Sequence, residues 1–248
     1  MLKAEKVLAC VMEFIGSLPD ESKALIQSMV KEDSPNEYYA EGSLAEVILM
    51  CRQDIAEKAN KASGKSAAAA ASKRIFKQAT KLGRCSGAFM EDGKQYIGGT
   101  YSVVRLNTPI ATKEWDGKSD SHINYKELID KAKESNTVEV EIPSIPDIVK
   151  SVKLFKCEHE DLYYDLDKRY LMIIDTFHNR DKECDVIVDG EFLIDILTIL
   201  SGENLKITRN YNPNSPIYIS SDLGDGILCT CLYPGLKDIY RSAGIEVA

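Results

Sequence analysis

The stretch SAAAAASKRIFKQATKLGR, Ser66 to Arg84, has the composition and spacing of one helix with two opposed faces. At ~100° per residue, Ala68, Ala71, Ile75, Ala79 and Leu82 fall on one side. Lys73, Lys77, Lys81 and Arg84 fall on the other, and Ser66 is placed to accept an orphan backbone N–H as the N-cap. Eight Lys or Arg and no Asp or Glu occur between Lys58 and Arg84, in a chain whose net charge is -8. A cationic rail inside an acidic protein points to an anionic partner, with nucleic acid as one candidate. The plain alternative is a helix that shows its lysines only to water.

The surrounding chain is ordinary for a globular protein, with 248 residues, 44% hydrophobic and 28% charged. Seven scattered cysteines, an odd number with no CxxC pair, argue against a disulfide framework. Cys229 and Cys231 flank one residue. In a strand they would share a face, as buried small side chains or as a redox or metal pair. Lys3, Glu5 and Lys6 interrupt any secretory core, and no apolar run is long enough to span a membrane. The expectation is a reduced, cytoplasmic protein with no membrane segment.

Residues 1–62 carry helical periodicity throughout. Leu8, Val11, Met12, Ile15 and Leu18 form one stripe, and Ile26, Met29 and Val30 a second. Leu44, Val47, Ile48, Cys51 and Ile55 form a third. Ser17 is placed to cap the second helix, and Ser43 with Glu46 forms a capping box for the third. Gly64-Lys65-Ser66 imitates the end of a phosphate-binding loop. The glycine that motif needs five positions before Gly64 is replaced by Ala59, and the preceding segment is helical rather than a strand.

Beyond Gly83 the period shortens. Cys85–Met90, Gln95–Ile97 and Tyr101–Leu106 predict strands, with a tight turn over Glu91–Lys94. Tyr125–Lys133 predicts a helix, Val138–Ile142 a strand with one wet face, and Asp147–Val152 one or two helical turns. Leu154–Cys157, Leu162–Leu166, Tyr170–Phe177 and Val186–Val188 predict strands. Glu191–Leu200 predicts a second strong helix opened by Asp189 or Gly190 and stopped by Gly202. Leu205–Arg209, Ile217–Ser220 and Ile227–Leu232 complete the strand-rich end. The sum is an α+β fold, helices against antiparallel sheet, with domains at 1–62 and 63–248.

Val186-Ile-Val-Asp-Gly-Glu-Phe-Leu-Ile-Asp-Ile-Leu197 resembles the second-helix segment of a DNA sliding-clamp domain, of the form F-N-x-x-Y-L-x-D-A-L. Phe192, Leu193, Asp195 and Leu197 carry the match. Leu205–Arg209, Ser215–Ile219 and Leu228–Pro234 are similar to the clamp strands that follow, in order and spacing. Ile142–Asp147 resembles the connector of bacterial clamps. Gly98–Leu106 resembles the clamp segment T-D-G-Y-R-L-A through Tyr101. Gly99, Thr100 and Ser102 stand where Asp, Gly and Arg would fall, and Arg105 is the candidate for the missing arginine. The likeness covers about residues 66–235 and is greatest to small clamp-like proteins of phage and mobile elements.

The resemblance implies two helices on the inner wall of a ring, binding phosphates without reading sequence, with sheets outside. It implies a non-catalytic protein that binds DNA backbone or replication proteins, with no cofactor or metal. The residues that would carry the contact are Lys65, Lys73, Arg74, Lys77, Lys81 and Arg84. The second helix departs from this role: Glu191 and Asp195 on its polar face would repel a duplex. A full ring needs several such domains and this chain holds one, so homo-oligomerisation is the corresponding expectation. The alternative is a protein–protein interaction module that keeps the clamp fold without DNA binding. Cys157–Asp161 is the one ligand-rich cluster, read as a solvated acidic turn or a metal site. The tyrosines of the second half are read as half-buried strand residues or as base-stacking platforms.

Overall fold

A computed structural model describes residues 3–35, 40–81, 87–115, 124–179 and 182–245. The chain divides into two compact units, Met1–Ser66 with Ile110–Thr112, and Ala67–Pro109 with Lys113–Ala248.

The first unit is built from α1 (Ala4–Gly16), α2 (Asp20–Glu32) and α3 (Ala40–Ala62). Ile15, Ile26, Met29, Ala45 and Ile48 form its core; all but Ala45 come from the predicted stripes. Met12, placed on the buried stripe of α1 by its spacing, is 47% exposed. Ser17 does not cap α2. Its hydroxyl donates to the carbonyl of Phe14 and closes α1, and Pro19 stands at the N-cap of α2. The chain is already helical at Ala40, so Ser43 lies inside α3 rather than at its start. Asn60, near the end of α3, is buried and exchanges two hydrogen bonds with the backbone of Ala111, at 2.7 and 3.1 Å. That pairing satisfies a buried amide and explains why 110–112 belongs with the helices.

The second unit is α+β. After α4 (Ser66–Lys81) come β1 (Ala88–Glu91), β2 (Lys94–Gly98) and β3 (Ser102–Leu106). The β1–β2 turn places Asp92 and Gly93 at φ 50° and 74°, the left-handed pair a two-residue hairpin requires. Then come α5 (Tyr125–Ser135), β4 (Val138–Glu139), α6 (Ile145–Glu158), α7 (Glu160–Asp165), β5 (Leu171–Asn179) and β6 (Lys182–Asp189). The chain continues with α8 (Gly190–Ile199), β7 (Lys206–Arg209), β8 (Ile217–Ser221), β9 (Gly224–Leu228) and α9 (Leu236–Ser242). Seven strands form one antiparallel sheet in the order β1-β2-β3-β9-β8-β7-β4, and β5 pairs with β6 as a separate hairpin.

Every residue of β3 is buried, because both faces of the sheet centre are covered. On one face Tyr96, Val103, Tyr218 and Ile227 pack against Tyr125, Ile129 and Ala132 of α5. Gly98 lies against the Tyr125 ring so closely that a Cβ there would overlap it. α8 packs against β3, β9 and β6 and buries Leu193, Ile196 and Leu197. A further cluster joins Phe155 of α6, Leu166, Leu171, Ile187, and Leu236 and Tyr240 of α9.

Two predicted strands are helices. Leu154–Cys157 lies in α6 and Leu162–Leu166 runs through α7 into its C-cap. Ser144 caps α6 by accepting from Asp147, and Pro146 sits in the first turn. Ile148, Val152 and Phe155 then recur at helical spacing through what reads locally as a short apolar run. The predicted strand at Val138–Ile142 is paired for two residues only. The last strand begins at Gly224 and ends at Leu228, so Cys229 and Cys231 lie beyond it. Their backbone N–H groups donate to Tyr101 and Ile187. Gly202 does not stop α8 through a left-handed backbone. A Cβ there would meet the side chains of Asp222 and Leu223.

Candidate nucleic-acid interface

α4 starts from an alanine run, which costs almost no side-chain entropy in a helix. Ala71, Ile75 and Ala79 are buried as their spacing predicts, and Ala68 is half-buried. Ala69, Ser72 and Phe76 are buried as well, so the inner face is wider than the predicted stripe. Ser72 and Phe76 are four apart, a signal masked by the polar hydroxyl. Ser72 resolves it by donating to the carbonyl of Ala69.

Lys73, Arg74 and Lys77 stand together on the exposed side of this helix. Lys65 is half-buried in the link before it. Lys81 closes the helix in backbone; its side chain, like Leu82 and Arg84, lies outside the described residues. Three of the six predicted contact residues therefore share one described face.

Arg74 also reaches inward. Its Nε donates to Oδ1 of Asp195 on α8 at 2.7 Å, and its Nη2 makes an ion pair with the same oxygen at 2.5 Å. This corrects the expectation that Asp195 would face a duplex. The carboxylate is 3% exposed, turned into the protein and held by a cation from α4. Burial pushes its carboxyl up from the ordinary carboxylate range, and Arg74 opposes that shift. Glu191 accepts from Lys156 of α6 at 2.5 Å, and Thr198 donates to the carbonyl of Ile194. All three groups on the polar side of α8 thus have internal partners. The helix is capped by Asp189, whose carboxylate accepts from the N–H groups of Glu191 and Phe192. Asp189 is itself buried, and desolvation pushes its carboxyl up to about 6.

Arg105, the arginine suggested by the clamp-like segment, is placed otherwise. It is 7% exposed and gives Nε and Nη2 to the two carboxylate oxygens of Asp225, at 2.8 and 2.7 Å. Its Nη1 donates to Asp130 of α5 at 2.7 Å. The hydroxyl of Tyr218 completes the network on Asp225. These bonds hold the guanidinium well above its ordinary pKa, and burial beside Asp225 raises the Tyr218 phenol. The arrangement ties α5 to the sheet and offers nothing to a ligand. In the same way Arg209 of β7 is bound to Asp175 of β5.

The remaining motifs stay apart. Gly64 takes a left-handed φ of 71° in a link between helices, where no strand precedes the phosphate-loop mimic. Cys157–Asp161 spans the junction of α6 and α7 instead of a hairpin turn. Among the described residues no three His, Cys, Asp or Glu side chains gather as a metal would require. Tyr218 is a buried strand tyrosine, whereas Tyr164 and Tyr211 are 55% and 65% exposed. A shallow concavity of about 520 Å³ between α7 and α9 is lined by Asp161, Asp165 and Asp238, a sign that disfavours a polyanion. Among the described residues no helix is long and apolar enough to cross a membrane. Compared with protein-family models, curated proteins and solved structures, the chain gives no significant match.

Proposed function

We propose that this protein is a non-catalytic, sliding-clamp-like factor that holds the DNA backbone through the exposed cations of α4, or holds replication proteins working on that DNA. The observation that carries the reading is Lys73, Arg74 and Lys77 presented together on a helix whose other side is buried. The inward turn of Asp195 supports it, because one of the two carboxylates expected to repel a duplex is buried and the other, Glu191, is paired with Lys156. In this reading the contact is electrostatic and indifferent to sequence, and the protein works in the cytoplasm without cofactor or metal. Encircling DNA would require several copies, which the mass of the protein in solution with and without duplex would reveal.

The test is fluorescence anisotropy with random-sequence duplex DNA at rising salt. Wild-type affinity should fall steeply, and Lys73→Glu/Lys77→Glu/Lys81→Glu should abolish binding while leaving the circular dichroism spectrum unchanged. Equal retention by wild type and the triple variant would reject the reading.

A second reading, the protein-interaction module, is favoured by the net charge of -8 and by Leu232, which is 73% exposed. Recovery of proteins without nuclease-sensitive material in a pull-down would select it.

A further inference from the structure

We propose that Asp195 is a built-in counter-ion that mutes the cationic face of α4, so that Arg74 meets a polyanion as half of an ion pair instead of as a full positive charge. The inference rests on the DNA-backbone reading and concerns what sets its strength.

The geometry is asymmetric. Asp195's side chain is 4% exposed and Arg74's is 53% exposed. One carboxylate oxygen accepts from Nε–H and lies 2.5 Å from Nη2, so Nη1 is left outside the pair and half of the arginine side chain faces water. A phosphate can therefore reach Arg74, but the negative charge behind it does not leave. Asp195 is fixed by burial on α8 and cannot swing away when a competing anion arrives. Its other charged neighbour is Glu191, one turn earlier on α8, which is itself engaged with Lys156 of α6.

Asp195→Asn removes the charge and keeps Oδ1 as an acceptor for Arg74, so the arginine stays in place. One more effective cation steepens the dependence of log affinity on log salt by about 0.9 and tightens binding about five- to tenfold near 0.1 M salt. The gain should vanish in Asp195→Asn/Arg74→Gln, because it acts through Arg74. Binding is measured with random-sequence duplex DNA, and retention on immobilised heparin gives a second polyanion probe.

The outcomes separate. If Lys73→Glu/Lys77→Glu binds duplex as wild type does, the DNA reading fails, and later elution of Asp195→Asn from heparin still reads the counter-ion. If the lysine variant loses binding but Asp195→Asn matches wild type in affinity and slope, the counter-ion inference fails alone. A gain that persists with Gln at position 74 also overturns it. Should Asp195→Asn not fold, Asp195→Ser serves, because it also removes the charge: affinity and salt slope should rise in the same direction, and wild-type values for both reject the muted-arginine account.

Discussion

Arg105 on β3 and Lys77 on α4 are both cations that the sequence singles out, and their surroundings in the fold are opposite. Arg105 is 7% exposed and saturated by Asp225 and Asp130, while Lys77 is exposed on the outer side of its helix. Arg74 lies between them, half-exposed and paired with a buried carboxylate. The comparison teaches that a basic residue's availability is decided by which carboxylates the fold brings beside it. Asp225 and Asp195 are each about 120 residues away in sequence from the arginine they hold.

Graded substitutions test that ordering. Arg105→Ala should have the largest effect, about 3–5 kcal/mol of lost stability in urea unfolding, because it strands Asp225 in a mostly buried site. A loss below ~1 kcal/mol would mean the network is a surface feature. Arg74→Ala should cost less, about 2 kcal/mol, since solvent reaches half of its side chain and Asp195 alone is left unpaired.

Asp189 supplies the contrasting case of a buried carboxylate on the same helix that is held by backbone N–H groups. Its folded-state pKa of about 6 lies above the ordinary 3.8, so the folded protein binds the proton more tightly than the unfolded chain does. The stability this lends is full below about pH 4 and is lost as pH rises through about 6. Asp189→Asn, an equally good cap, should match wild type near pH 4 and exceed it by about 1 kcal/mol near pH 8. Thermal melts at the two pH values read the difference, and a pH-independent effect would contradict the buried-charge explanation. Lys77→Ala should have the smallest structural effect, within about 0.5 kcal/mol, while weakening duplex binding severalfold.

Much of this was legible locally. The three N-terminal stripes, the Ala71–Ile75–Ala79 face, the Asp92–Gly93 turn and the Asp189 cap all depend on residues within a few positions of one another. Sequence and structure part where a local signal has two solutions. Leu154–Cys157 is too short a run to separate a buried strand from a buried helix turn, and the Ser144 cap a full ten residues upstream decided it. Phe76 carries no local signal for the inner face because Ser72, its partner one turn back, is polar in sequence, and only the fold shows its hydroxyl bonded to Ala69. Helical spacing gives Asp195 a face but does not say which way that face turns, and the fold turns it inward.

Sequence alone determined that the chain is α+β, that α4 has one apolar and one basic side, and that the acidic chain concentrates its positive charge there. Periodicity and charge spacing are properties of neighbouring residues, so no tertiary information is needed to read them. Only the tertiary structure decided that Arg105 is spent inside the sheet and that Asp195 turns inward onto Arg74. Those pairings join residues far apart in the chain, and the energy of an ion pair depends on burial and distance, which exist only once the chain has folded.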